Sequence, residues 1–124
     1  MVAVSTLGDL HQVGGWVVVV GNGVAGAWAL AAHWRPVLRV RALWVFTAIV
    51  QVAIFVQVAL GVAHQQVDGV EPTGFHMLYG FAALFAVGII YSYRVQMEDR
   101  LHLLYGAGGL FLMGLGIRAM VLHQ

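Results

Sequence analysis

Formal charge interrupts this chain at only a few places, and the gaps between those places are the length of a membrane. No Asp, Glu, Lys or Arg falls between Asp9 and Arg35, between Arg41 and Asp68, or between Glu71 and Arg94. A fourth run, from Arg100 to Arg118, is shorter, but apolar character resumes to Leu122. An α-helix needs about 20 apolar residues to cross the hydrocarbon core. Each run therefore predicts one spanning helix, near residues 8–33, 41–64, 73–94 and 100–122 of a single domain covering 1–124. The composition agrees. With 61% hydrophobic and 9% charged residues, the chain cannot clothe a water-soluble domain, so lipid must be the solvent for much of its exterior.

The connections between these runs are short, which makes consecutive helices antiparallel neighbours. The expected fold is an all-α, four-helix antiparallel membrane bundle. Arg35, Arg39, Arg41, Arg94 and Arg100 all lie in the 1–2 and 3–4 connections, whereas the 2–3 connection carries Asp68 and Glu71. The positive-inside rule puts the arginine-rich side in the cytoplasm and both termini outside. The first run lacks the positive leading segment of a secretory signal, since its first Arg is Arg35, and it reads as a retained helix. The expected location is a prokaryotic cytoplasmic membrane, multi-pass.

Several function classes fall away. The chain has no Cys, which excludes disulfides, thiolate metal sites and iron–sulfur clusters. It has no Lys and no basic stripe, so nucleic acid is not an expected partner. No Ser/His/Asp arrangement, HExxH or paired carboxylate is present.

A two-helix repeat lies beneath the hydropathy. His11, Gly15 and Gly23 recur as His76, Gly80 and Gly88, both His-x3-Gly-x7-Gly. The second and fourth helices each begin with Arg, at Arg41 and Arg100, and end His-Gln, at His64 and His123, with identical spacing. Two hairpins related by a pseudo-twofold axis along the membrane normal would set helices 1 and 3 diagonally across the bundle.

Six histidines in so small a membrane protein are the main chemical clue. Ionisable residues inside a membrane are costly and face the bundle interior. His11 and His76 each have Gly at i+4, the next position on the same helical face. An imidazole supplies an axial ligand, and a missing side chain leaves room for a flat macrocycle; Ala83, at i+7 from His76, extends that smooth wall. Two such imidazoles would give six-coordinate haem b, a state suited to one-electron transfer. The bland reading is that the glycines pack helices and the histidines are interfacial. His64 and His123 end their helices and are interfacial residues or partners of haem propionates. Arg118, the one Arg on the outer side, wants an anion, either a propionate or Asp9. Gln57, Gly61 and His64 form one stripe of helix 2, either for packing or for lining a quinone or haem pocket. His33 and His102 read as cytoplasmic interface residues.

Two short segments, Gln57-Val58-Ala59-Leu60-Gly61 and Phe75-His76-Met77-Leu78, resemble one half of the haem A synthase family. The resemblance covers roughly helices 1 to 3. It implies a four-helix bundle with an outer-side haem, held by a His near the start of each of two inward-running helices, which here are His11 and His76. Cytochrome b561-type proteins share a similar logic. This chain departs from the family in three respects. It has one half rather than two, which implies a homodimer or a stand-alone role. It lacks the outer Cys pair, and Gly8 stands where the catalytic Glu is expected. What carries over is the fold and haem binding, rather than haem hydroxylation.

Three functions follow as expectations. The first is a haem b cytochrome passing electrons between an outer donor and a quinone or respiratory partner complex. The second is a haem-free accessory subunit of a larger membrane assembly. The third is a metal or proton pathway built on the outer histidines.

Overall fold

The computed structural model describes residues 2–69, 71 and 74–123 and, among these, all side chains except those of 2–5 and 123. The chain is all helical within these residues: α1 Val2–Trp34, α2 Arg41–Asp68, α3 Gly74–Ser92 and α4 Leu101–His123, with short 3₁₀ turns at Pro36–Leu38 and Glu98–Arg100. Each long helix has the length and hydropathy to cross a bilayer. The protein is a multi-pass integral membrane protein.

The helix ends follow local chemistry. Pro36 cannot continue α1 and instead opens the 3₁₀ turn. Arg39 folds back to donate to the main-chain oxygens of Ala32 and His33, both at 2.8 Å, and so serves carbonyls that the ending helix leaves unpaired. Trp28 Nε1 donates to Leu38 O at 3.1 Å and ties the same turn down. α2 runs four residues past the expected stop at His64. It ends where Gly69 adopts φ 67°, a left-handed cap that glycine enters without steric cost, with its N–H on Gln65 O. α1 starts six residues before the expected position, because no proline or charge precedes Gly8 to stop it.

α1 is the hub of the bundle. It meets α4 backbone to backbone: a Cβ at Gly26 would lie 2.7 Å from Leu110 N, and one at Gly106 would lie 2.7 Å from Leu30 N. Only glycine permits that approach, and close approach is how helices gain dispersion energy in lipid. α1 meets α2 through Asn22, 1% exposed, whose amide donates to Val18 O at 2.9 Å and Val50 O at 3.3 Å. α3 packs on α4, where Ile90 fills the space beside Gly108. α2 and α3 barely touch. The core proper (Val18, Ile54, Ala83, Val87, Ile90 and Leu112) lies at mid-depth. Val17, Val24, Phe55 and Phe85 point outward, as lipid-facing side chains do.

The two expected hairpins are present, and α1 and α3 stand across the diagonal. The packing departs from the twofold of the sequence. α1 and α4 are in backbone contact, whereas their counterparts α3 and α2 are splayed apart. Likewise Gly23 is covered by Met113, whereas its counterpart Gly88 meets open space.

Candidate functional site

The gap between α2 and α3 is the mouth of a cleft. It has about 870 Å³ of empty space, its open side included, and draws lining residues from all four helices. Its cavity volume proper is about 110 Å³, below the roughly 300–1,000 Å³ of small-molecule and cofactor sites, so an occupant of cofactor size would extend through the open side. Of the residues singled out in the sequence, His11, Gly15, Gln57, Gly61, His64, His76, Gly80 and Ala83 line it. Val18 and Ile54 border it toward mid-depth.

The two histidines of the repeat face each other there. Their ring centroids are 5.9 Å apart, with the planes nearly perpendicular at 83°. Each is held from behind. His76 Nδ1 donates to Ala119 O on α4 at 2.6 Å. Gln57 Nε2, from α2, lies 2.9 Å from His11 Nδ1 and 2.5 Å from His11 O. Gln57 reaches this position because Gly14 has no side chain, since a Cβ there would lie 2.0 Å from Gln57 Oε1. Gly61 likewise makes room for the His11 ring, at 2.9 Å from its would-be Cβ. The stripe of Gln57, Gly61 and His64 therefore serves the cleft.

The two i+4 glycines differ. Gly80 opens on empty space, with nothing among the described residues within 4 Å of a would-be Cβ. Gly15 is in ordinary contact with Gln57 and Met120, so its side of the cleft is partly filled. His64 stands 6.4 Å from His11, ring to ring, and its Nδ1 is 2.5 Å from Asp68 Oδ2. The Asp68 side chain is fully buried and its Oδ1 has no hydrogen-bond partner among the described residues. Asp68 was missed in the sequence as a site residue, although its i+4 spacing from His64 was the available signal.

Arg118 does not line the cleft. Its guanidinium sits over Tyr79, 5.6 Å from the ring centroid, and Tyr79 does line it. No ion pair joins Arg118 to Asp9 among the described residues. The His123 side chain, expected to pair with His64, lies outside the described residues. At the arginine-rich end, His102 packs on Trp44 with centroids 5.0 Å apart, and His33 packs on Trp34 at 4.8 Å. Among the described residues, no group of three or more His, Asp or Glu side chains is placed to hold a metal ion.

Fold and cleft define a class: a four-helix integral membrane bundle whose helices frame a histidine-lined, mainly apolar cleft opening between two of them. No family model matches the chain, and neither does any curated protein or any solved structure.

Proposed function

We propose that the cleft holds one haem b, with His11 and His76 as its axial ligands, and that the protein transfers electrons at the outer face of a prokaryotic cytoplasmic membrane. The observation that carries this reading is the 5.9 Å separation of two imidazoles from diagonal helices. Metal–nitrogen bonds of about 2.0–2.1 Å on opposite sides of one ion put imidazole centroids roughly 6 Å apart. Perpendicular ring planes are compatible with such a pair.

The other residues fit the group. The apolar lining suits a macrocycle, and Gly80 and Ala83 leave a flat wall on the α3 side. His64 and Arg118 are the candidates for binding propionates, His64 from the cleft wall and Arg118 beside Tyr79. When bound, a bis-imidazole haem supplies reversible one-electron chemistry. The protein's own part is to hold the ligands and to exclude water with apolar walls. The redox partners in this reading are a quinone or a respiratory complex in the same lipid, and the short motifs resembling half of a haem A synthase support haem over other cofactors.

Titration of haemin into the purified protein tests the proposal. A spectral endpoint at one haem per chain is expected. Absence of an endpoint would contradict it and favour a haem-free accessory subunit.

A further inference from the structure

Resting on the haem reading, we infer that His11 and His76 are opposite tautomers, that His76 is the firm ligand of the pair and His11 the exchangeable one, and that Gln57 is the positioning residue that makes them differ. A main-chain carbonyl can only accept. His76 Nδ1, 2.6 Å from Ala119 O, therefore carries the proton, and Nε2 carries the lone pair that a metal needs.

At His11 the partner is an amide. The Gln57 atom nearest the ring also lies 2.5 Å from His11 O, a separation at which an amide oxygen would meet the carbonyl oxygen in repulsion. That atom is the nitrogen, and its two hydrogens go to His11 O and His11 Nδ1. Nδ1 thus accepts, and the proton of a neutral His11 sits on Nε2. Gly14 makes the arrangement possible, because the amide oxygen occupies the space of its missing side chain, and that oxygen has no hydrogen-bond partner among the described residues.

An imidazole that donates from Nδ1 to a carbonyl is oriented and made more basic as a ligand. His76 has that support. For His11 to bind metal through Nε2, its proton must move and the Gln57 amide must turn away from His11 O. That opposing preference makes the His11 side of the pair the one that opens to an external ligand.

Two measurements test this. Nitrogen-15 shifts of labelled histidines in haem-free protein, assigned with single His variants, read the tautomers directly. The expected result is Nε2–H for His11 and Nδ1–H for His76; like tautomers would overturn the inference. Carbon monoxide is the second probe, titrated into the reduced, haem-loaded protein. Wild type is expected to bind it, and Q57L to bind it about tenfold more weakly, because the freed Nδ1 can then take the proton. G14A expels the same amide from the other side and is expected to act alike. Unchanged affinity in both variants would overturn the inference. A chain that takes up no haem would overturn the proposed function, while the nitrogen shifts would still decide the tautomers separately.

Discussion

His11 and His76 come from helices that stand across the diagonal of the bundle, yet their rings lie 5.9 Å apart. α1 and α3 do not pack closely along their length. The meeting occurs where α2 and α3 splay and open the cleft, and it brings together the two positions that the repeat marks. Packing alone gives no reason for two imidazoles to share an apolar cleft, each anchored from behind by a different neighbouring helix.

The glycines divide into those that pack and those that leave space, and substitution separates the two. Gly80→Leu adds a side chain where nothing lies within 4 Å. It is expected to change stability by no more than about 0.5 kcal/mol and to abolish haem uptake. Gly26→Leu forces a side chain against the α4 backbone. It is expected to destabilise the bundle by about 1–3 kcal/mol or more. Thermal melts in detergent, read beside haem content, check both.

The His64–Asp68 pair predicts a particular non-additivity. The Asp68 side chain is fully buried, so removing His64 leaves a carboxylate with its main partner gone. Breaking a buried pair from one side costs about 3–5 kcal/mol, whereas replacing both partners is far milder. H64A is therefore expected to be less stable than the double variant H64A/D68A. Denaturant or thermal unfolding of the four proteins in the cycle measures the difference. A double variant less stable than H64A would contradict the pairing.

Orientation can be tested cleanly because the chain has no cysteine of its own. Single cysteines at Gln66, near the C-terminal end of α2, and at Gln96, in the α3–α4 connection, are expected to lie on opposite sides. In intact cells a membrane-impermeant maleimide should label Q66C and spare Q96C until the membrane is permeabilised. The reverse pattern would invert the topology that the arginines predict.

The spans were legible because charge is costly in lipid, so Asp9, Arg35, Arg41, Asp68, Glu71, Arg94 and Arg100 mark where helices leave it. The His11–His76 pair was legible because its i+4 glycines recur in both hairpins. Other features were not. The repeat treats α1/α4 and α3/α2 alike, and nothing in it reveals that Gly26, Gly106 and Gly109 bring only the first pair into backbone contact. Nothing in the sequence singles out Gly14, and its use to seat the Gln57 amide depends on a contact 43 residues away in sequence, from Gly14 to Gln57. Asp68 read as a loop charge, because α2 was expected to stop at His64. Arg118 was matched to an anion, and its place over Tyr79 follows from side-chain reach rather than from charge.

The central claim is that His11 and His76 ligate one haem. It is tested most directly by reduced-minus-oxidised absorbance spectra, with a pyridine haemochrome assay, on detergent-purified wild type, H11A and H76A. The account predicts sharp low-spin b-type bands at one haem per chain in wild type, and loss of those bands in each variant. A protein that stays colourless after haem is supplied during expression would contradict it, and so would low-spin bands that survive either substitution.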